Sequence, residues 1–272
     1  MPRAHVEFVQ SQRLPWRAAA LGGSRAALAA KVLSRDAESG ATTSLARIPA
    51  GWSADGALNT DEEWLVLAGE FGVGDTVLGP YGYAHLPAGS ANRLASRAGA
   101  IALHLVDAAP KTAQAASFDP ARRVVLDAMT VPYTGNFHPE FPPGAGRKWL
   151  FRDPQGGEET WLLGTLPLRH AERQEVHPVV EEMFLLAGEA HGDRGVMRPG
   201  AYFWRPPGLP HGPFGTRTGN LYFFRTVGGP LVTEYIDGDH KFAWDPPYRP
   251  VLPLGMEEGY GEAPSHIDWR DA

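Results

Sequence analysis

The chain has 272 residues, of which 43% are hydrophobic and 21% charged, and this composition excludes disorder as its main state. Its net charge of −6 argues against a surface for nucleic acid or anionic membranes, and the absence of cysteine excludes disulfides, cysteine nucleophiles and thiolate metal sites. The 32 glycines and 25 prolines, about a fifth of the chain, favour many short strands separated by turns.

The N-terminal residues, MPRAHVEFVQ, lack the apolar core of a signal peptide. No apolar run in the chain approaches the roughly 20 residues of a membrane helix. We therefore expect a cytoplasmic protein that binds neither membranes nor nucleic acid.

The sequence contains an internal repeat. Residues 62–70 read EEWLVLAGE, and residues 181–189, which begin 119 positions later, read EEMFLLAGE. PAGSAN at 87–92 and PPGLPH at 206–211 are separated by the same offset. Several matches in order at one offset predict two copies of a single structural unit.

The two copies meet in a stretch rich in Ala, Pro and Ser at residues 107–122. We predict an N-terminal domain over residues 1–117 and a C-terminal domain over residues 118–272. From Asp245 onward the chain is rich in Pro and Gly and has no periodic pattern. This tail is expected to lie on the surface or to reach a partner subunit.

Within each copy the pattern indicates β-structure. AYFWR at 201–205 lies between Pro-Gly and Pro-Pro-Gly, and NLYFFR at 220–225 follows a glycine. Short aromatic runs bounded by turn residues are typical of a sandwich or barrel. The predicted fold class is therefore all-β.

Four residues of the second copy form a candidate metal site: Glu175, His177, Glu181 and His211. The first three share parity, so on one continuous strand they would lie on the same face, with Pro178 bending that strand. His211 follows a Pro-Pro-Gly turn that could return it to the same interior. Two imidazoles and two carboxylates suit one divalent ion such as Fe²⁺, Mn²⁺, Ni²⁺ or Zn²⁺.

The same residues resemble the two motifs of the cupin superfamily. The first reads E-x-H-x₃-E-x₆-G from Glu175 to Gly188, and the second reads P-x-G-x-x-H and ends at His211. The resemblance covers both copies and implies two cupin barrels, that is, double-stranded β-helix or jelly-roll barrels, in one chain. It is similar to ChrR-like cupins and to a group of bacterial bicupins.

One position departs from the cupin pattern, because Glu175 stands where the family usually has histidine. Either Glu175 binds the metal, or water or a residue such as His170 takes its place. The alternative for all four residues is a buried ion-pair network without metal. The resemblance favours Fe²⁺, with Mn²⁺, Zn²⁺ or Ni²⁺ as the other options.

The first copy has lost most of this site. The offset of 119 places Gly56, Leu58 and Asn92 at three of the four ligand positions, and Glu62 alone is retained. A competing register would end a second motif at His85, but the repeat places His85 in mid-strand. We expect the N-terminal barrel to bind no metal.

Charged and aromatic residues near the second motif are candidates for catalysis and for substrate binding. Glu181 or Glu182 could act as a base, and Arg205 could hold a carboxylate or enolate. An aromatic pocket would stack a ring or an apolar group, although core packing is the alternative for such residues. The predicted substrate-binding residues are Tyr202, Trp204, Phe214, Tyr222 and Arg225.

The most concrete functional hypothesis is an Fe(II) dioxygenase, an oxidoreductase that cleaves a C–C bond in a small oxygenated or aromatic molecule. A redox-neutral lyase, isomerase or hydrolase is the alternative within enzymes, since a site with more carboxylates also suits Mn²⁺ or Zn²⁺. A ChrR-like sensor of metal or ligand is the alternative from another class. A homodimer is expected.

Overall fold

The structure is a computed structural model of the chain and describes residues 3–20, 28–108, 119–135, 143–252 and 269. These residues form 23 strands, so the all-β prediction is confirmed. Their helical segments are two three-residue 3₁₀ turns, at Ser11–Arg13 and Pro120–Arg122, and neither could cross a membrane.

The strands in chain order are β1 Val6–Gln10, β2 Arg17–Ala19, β3 Leu28–Arg35, β4 Thr42–Ile48, β5 Trp52–Gly56, β6 Glu62–Gly69, β7 Phe71–Val73, β8 Thr76–Leu78, β9 Gly82–Leu86, β10 Asn92–Ser96, β11 Ala100–Val106, β12 Val124–Asp127, β13 Ala145–Arg152, β14 Glu159–Thr165, β15 Arg169–His170, β16 Gln174–Val176, β17 Val180–Gly188, β18 Ala190–Gly192, β19 Gly195–Met197, β20 Ala201–Arg205, β21 Gly215–Thr216, β22 Asn220–Val227 and β23 Glu234–Ile236.

The chain divides into two compact units. Of the described residues, the N-terminal unit contains those between 14 and 130, and the C-terminal unit contains residues 4–13 and those between 131 and 252. The predicted division between residues 117 and 118 departs from these units at two places. Strand β1 pairs with β20 of the C-terminal unit, and β12 pairs with β9 of the N-terminal unit. Each of these two strands therefore belongs to the unit of the strand with which it pairs, although that partner is distant in sequence.

The N-terminal unit is built from two sheets that share one core. A seven-stranded sheet has the order β12-β9-β6-β11-β4-β3-β2, and a four-stranded sheet has the order β5-β10-β7-β8. Trp64 of the larger sheet and Phe71 of the smaller one are fully buried in the same cluster. Alternating side chains thus turn apolar groups of both sheets inward.

The C-terminal unit repeats this plan. A six-stranded sheet, β1-β20-β17-β22-β14-β13, accompanies a four-stranded sheet, β15-β21-β18-β19, and a two-stranded sheet, β16-β23. Its core joins Met183 and Phe203 of the large sheet to Ala190 and Met197 of the four-stranded sheet. Two barrels of the cupin type follow from this duplicated architecture.

The strand pairings reproduce the sequence repeat. Glu62 opposes Leu86 in the first unit, and Glu181 opposes Arg205 in the second, 119 residues later in both strands. Within the first unit His85 pairs with Glu63 in the middle of β9, which excludes the competing register that ended at His85. The alignment by repeat is therefore the correct one.

The last described segment of the tail, residues 245–252, lies against its own unit. The hydroxyl of Tyr248 donates to the carbonyl of Phe8 at 2.9 Å, and Val251 forms an antiparallel bridge with Glu7. The predicted tail therefore covers β1. Residues 253–268 lie outside the described residues.

A glycine ends the equivalent strand in each unit where two backbones approach closely. Gly188 has φ +75°, and a Cβ added there would lie 2.0 Å from the carbonyl oxygen of Gly219. Gly69 has φ +79° and would meet Gly99 in the same way, at 2.1 Å. Gly208 also has φ +75° but has nothing within 4 Å of that position. Comparing Gly188 with Gly208 therefore separates the cost of a positive φ from the cost of a steric clash with a neighbouring backbone.

We predict that Gly188→Ala destabilises the protein far more than Gly208→Ala. A positive φ alone costs a non-glycine residue roughly 1–2 kcal/mol, which is the expected loss for Gly208→Ala. At Gly188 a rigid carbonyl must also move, so the loss should exceed about 4 kcal/mol. Urea unfolding of both variants measures the difference, and equal losses would contradict the close approach of the two backbones.

Candidate metal centre

The segment that carries the first motif is interrupted, and the prediction of one continuous strand was wrong. Strand β16 ends at Val176 and β17 begins at Val180, and the two belong to different sheets. Pro178 lies in the break, where it cannot donate a backbone hydrogen bond to a strand partner. The shared face therefore arises from tertiary structure and not from strand periodicity.

Backbone pairing brings the two motifs together. Glu175 and His211 form an antiparallel bridge in which each amide donates to the other residue's carbonyl, at 2.9 and 3.0 Å. The amide of Gly208 donates to the carbonyl of His177 at 2.8 Å. Gly56 and Asn92 are paired in the same way in the first unit. This bridge belongs to the repeated fold, and its side chains differ between the units.

Glu175, His177 and His211 form a cluster whose candidate ligand atoms all lie within 4.8 Å of one another. Nε2 of His211 lies 3.6 Å from Oε1 of Glu175. Glu181 lies beside this cluster, with its carboxylate oxygens 3.7 Å from Nε2 of His177 and 3.5 Å from Nε2 of His211. The four predicted ligands are thus brought together.

The two imidazoles are oriented as metal ligands. Nδ1 of His177 lies 2.9 Å from the carbonyl of Val232, and Nδ1 of His211 lies 2.9 Å from the carbonyl of Leu209. Each Nδ1 therefore carries the proton, and each Nε2 presents a lone pair. Both Nε2 atoms are buried and have no hydrogen-bond partner among the described residues. A divalent cation fits this donor set.

Arg205 holds the carboxylate of the fourth predicted ligand, Glu181. Its Nη1 donates to Oε2 of Glu181 at 2.9 Å, and its Nε and Nη2 donate to Oε1 of Glu7 at 3.0 and 2.6 Å. Arg205 is 2% exposed and Glu7 is 1% exposed. Arg205 was predicted to hold a carboxylate or enolate of the substrate. In the structure it binds the carboxylates of two glutamates of the protein itself, Glu7 and Glu181.

The carboxylates here remain ionised despite burial. Burial alone would raise the pKa of Glu7, but Arg205 and His5 outweigh it and hold that pKa far below its ordinary value. At Glu175 burial raises the pKa, and this is outweighed by His211 and His177, when their rings are protonated, and by Arg205, so that the pKa is lowered. With neutral rings, a bound cation would supply the positive charge that keeps Glu175 ionised.

The cluster opens into a cavity of about 90 Å³. Of the predicted site residues, Glu175, His177, Glu181, Arg205, Phe214 and Tyr222 line it. His211 is buried beside these residues, with its ring centroid 5.0 Å from that of His177. Burial raises the pKa of the Tyr222 hydroxyl well above its ordinary value, so that it stays neutral.

Four other predicted site residues do not line the cavity: Glu182, Tyr202, Trp204 and Arg225. Successive strand residues face opposite sides, so the inward positions of Glu181 and Arg205 turn Glu182 and Trp204 away. The hydroxyl of Tyr202 donates to Glu182 at 2.6 Å. A role for these four in catalysis or substrate binding is therefore not supported by their positions.

The Tyr202–Glu182 hydrogen bond has a counterpart in the first unit. There the hydroxyl of Tyr83 donates to Glu63 at 2.5 Å, at the positions related by the offset of 119. The pair recurs in a unit where the ligand positions carry other residues. It therefore belongs to the barrel framework.

Sequence reasoning missed several cavity residues, among them Arg147, Trp161, Arg169, Thr216 and Tyr235. Burial lowers the pKa of Arg147 to about 10, with Glu159 and Glu181 acting in the opposite direction, so the side chain stays cationic at neutral pH. Arg147 and Trp149 are two residues apart on β13 and therefore share a face, which was a usable signal because Trp149 packs against the core. The other residues carry no recognisable motif.

The retained glutamate of the first unit has different partners. Oε2 of Glu62 lies 3.0 Å from both Nε1 of Trp64 and Nε2 of His104, and the two rings stack with centroids 3.7 Å apart. Leu58 and Asn92 occupy the positions of the two histidines and are buried. The glutamate is thus satisfied by side chains of its own unit.

The remaining histidine candidate lies apart from the cluster. His170 is exposed, and its ring stacks on Phe242 with centroids 5.0 Å apart. It is absent from the group of mutually close ligand atoms found among the described residues. The alternative in which His170 replaces Glu175 is therefore not supported.

Solved structures of similar architecture show the cupin fold. A candidate dioxygenase from Nostoc punctiforme PCC 73102 superposes with a TM-score of 0.74 at 22% identity, covering 88% of this chain and 89% of that one. A cupin 2 conserved barrel domain protein from Leptotrichia buccalis has a TM-score of 0.52 at 10% identity, with coverage of 79% and 99%. These likenesses establish the cupin fold.

A third similar structure is HEPD of Streptomyces albus with 2-hydroxyethylphosphonate and Fe(II) bound. Its TM-score is 0.63 at 9% identity, and the match covers 84% of this chain and 76% of that one. The chain belongs to the family described as a domain of unknown function, DUF4437, whose model matches residues 7–230. No curated protein matches the sequence.

We predict that Arg205→Met destabilises the protein by about 3–5 kcal/mol at neutral pH, since two buried carboxylates lose their cation. The matched control is Arg217→Met. Arg217 is 44% exposed and contacts the exposed Asp245 at 3.4 Å, so its loss should cost less than about 1 kcal/mol.

The pH dependence gives a second test of the same variant. Arg205 lowers the pKa of Glu7 from its ordinary value of 4.5, so this stabilisation is present above that pH and is lost as the pH falls below it. The gap in unfolding free energy between wild type and Arg205→Met should narrow below pH 4.5. A gap that stays constant from neutral to acidic pH would contradict the assigned charge pair.

Proposed function

We propose that this protein is a metal-dependent cupin enzyme that acts on a small oxygenated organic molecule, and that it is an Fe(II) dioxygenase. One observation carries the proposal: the buried Nε2 atoms of His177 and His211 and the carboxylate of Glu175 lie close together beside a cavity, and His177 and Glu175 line that cavity. Two histidines and one carboxylate are the ligand set of non-haem Fe(II) oxygenases. The Fe(II)-bound HEPD supports the choice of metal, since it shares the fold.

In this proposal His177, His211 and Glu175 hold the ion, and Glu181 lies beside it. A bound Fe²⁺ would supply a site for O₂ and for substrate oxygens. The Nδ1 hydrogen bonds keep both rings in one orientation, which preorganises the ligands. Glu181 is the other carboxylate among the cavity residues, and Arg205 fixes it there, so Glu181 is the group placed to accept a proton from the substrate.

The first prediction from this proposal concerns stoichiometry. Protein prepared without nickel-affinity steps should bind one divalent ion per chain, and His177→Ala or His211→Ala should weaken that binding at least about 100-fold, since outer-shell changes alone cost 10–100-fold. Metal titration with elemental analysis measures both values.

The matched control for this titration is His170→Ala, because His170 is exposed and lies outside the cluster. This variant should keep one ion per chain. Full occupancy in the His177 and His211 variants, or a second ion lost on changing Asn92 or Glu62 of the N-terminal unit, would contradict the assigned site.

A redox-neutral Lewis-acid enzyme is the second candidate, and Glu175 favours it. A carboxylate in place of the usual histidine makes the site more anionic, which suits Mn²⁺ or Zn²⁺ as well as Fe²⁺. Glu175→His separates the two candidates. With iron, the variant should keep measurable O₂ uptake on an accepted substrate if the reaction is an oxygenation.

A Lewis-acid enzyme should instead consume no O₂ and lose turnover in Glu175→His while still binding metal. Candidate substrates are diketones, hydroxyaromatics and small organic acids, screened by oxygen electrode and by product analysis. Wild-type protein that turns over its substrate equally well after complete metal removal would exclude both candidates.

A further inference from the structure

Asn220 fixes the direction in which the hydroxyl of Tyr222 can donate. Nδ2 of Asn220 donates to the backbone carbonyl of Glu189 at 3.0 Å, and a carbonyl can only accept, so this atom is the nitrogen of the amide. The same Nδ2 donates to the hydroxyl oxygen of Tyr222 at 2.6 Å, and Oδ1 accepts from the hydroxyl of Thr165. Because an amide nitrogen cannot accept, the hydroxyl proton of Tyr222 points away from Asn220.

This proton has no acceptor in the part of the chain that the structure describes. Tyr222 is 8% exposed, lines the cavity and takes part in no hydrogen bond there except the one that its oxygen accepts. Burial raises the pKa of its hydroxyl above the ordinary value, so the group keeps its proton at neutral pH. A buried donor without an acceptor is costly, and an oxygen atom of a ligand would remove that cost.

Trp161 supplies a second donor on the same wall. It is 1% exposed and lines the cavity, and its Nε1 has no hydrogen-bond partner among the described residues. An indole N–H can only donate. Trp161 opposes Phe224 in the β14–β22 pair, and its ring centroid lies 5.4 Å from that of Phe224, which in turn lies 5.3 Å from that of Tyr222. The two donors therefore share the inner face of the large sheet.

Position along β17 separates Tyr222 from the metal cluster. Glu181, beside the two histidines, and Leu185, which opposes Tyr222, are four residues apart on β17. At about 3.3 Å per residue, the backbone of Tyr222 lies roughly 13 Å along the strand from that of Glu181. The apolar pair Met183 and Phe224 lies between them and also lines the cavity. The wall thus runs from the metal cluster across an apolar stretch to a pair of donors.

We infer that the substrate carries two oxygen-containing groups on a small apolar framework, one that binds the metal and one that accepts a hydrogen bond from Tyr222, with Trp161 as the second donor. This inference rests on the proposed function for the metal end. A carbonyl, ether or hydroxyl oxygen at the far end meets the requirement. A hydrocarbon there would leave buried donors unsatisfied, so Tyr222 and Trp161 determine specificity.

Pairs of compounds in which one oxygen is replaced by carbon test the inference, because both members have the same number of heavy atoms and the same metal-binding group. The probes are methoxyacetate and butyrate, levulinate and isocaproate, and the catechols that carry a methoxy or an ethyl group para to one hydroxyl. Binding is measured by calorimetry on the full chain, metal-free and loaded with Zn²⁺, which is redox-inert. The zinc content of each sample is determined.

In at least one pair the compound with the additional oxygen should bind zinc-loaded protein about fivefold or more tightly than its hydrocarbon analogue. Tyr222→Phe should weaken binding of that compound by about 5- to 50-fold and leave binding of the analogue within about twofold. Trp161→Phe keeps an aromatic ring but removes the N–H, so it should reduce the same preference.

Asn220→Asp tests the direction of the hydrogen bond itself. A carboxylate at this position would accept the proton of Tyr222, so the preference should fall although the tyrosine is retained. A tyrosine that served only packing would not respond in this way. The matched control is Tyr202→Phe, because the hydroxyl of Tyr202 donates to Glu182 and the residue does not line the cavity. This variant should leave every affinity unchanged.

Thermal unfolding of each variant verifies that it is folded. Equal affinities within all three pairs would mean that water in the cavity satisfies the donors, and would overturn the inference. A preference that survives in the double variant of Tyr222→Phe and Trp161→Phe would overturn it as well, as would the failure of every probe to bind.

The zinc measurements separate this inference from the proposed function. Zinc that binds in one equivalent without any preference for the additional oxygen overturns the substrate class and leaves the metal site standing. Protein that binds no zinc, yet shows a preference that Tyr222→Phe removes, supports the pair of donors and overturns the metal enzyme.

Discussion

Burial of carboxylates is the constraint on which the C-terminal unit depends. Glu7 and Glu181 are almost inaccessible to water, and ionised carboxylates in such surroundings require a cation with good hydrogen-bond geometry. Arg205 satisfies both at once and thereby ties β1 to β17 and β20. In the other unit Leu86 stands at the position of Arg205, and Glu62 is satisfied by Trp64 and His104. One inherited glutamate is thus stabilised in two different ways.

Much of the fold and part of the candidate site could be predicted from sequence. The offset of 119 aligned the strands correctly, and the motif spacing identified His177 and His211. The predicted reason why the two motifs meet was wrong. A continuous strand was expected through Pro178, whereas a backbone bridge between Glu175 and His211 brings the two motifs together. Such a bridge depends on residues 36 positions apart, and local periodicity cannot show it.

The sequence identified residues near the motifs, but it did not show which of their side chains face the cavity. Glu182, Tyr202, Trp204 and Arg225 are close in sequence to the ligands, yet strand alternation turns them to the other side of the sheet. Arg147 and Arg169 lie upstream of the first motif and enter the cavity through sheet pairings. Proximity along the chain therefore selected too many residues on β20 and β22 and too few on β13 and β15.

The membership of β1 has a consequence for any attempt to work with half of the chain. A fragment cut at the repeat boundary would carry both histidines but would lack the strand that pairs with β20 and supplies Glu7. Arg205 would then face one carboxylate, and the edge of β20 would be left open. Residues 4–13 supplied as a peptide in trans, or fused behind the C-terminal half by circular permutation, would restore the barrel as the native chain builds it.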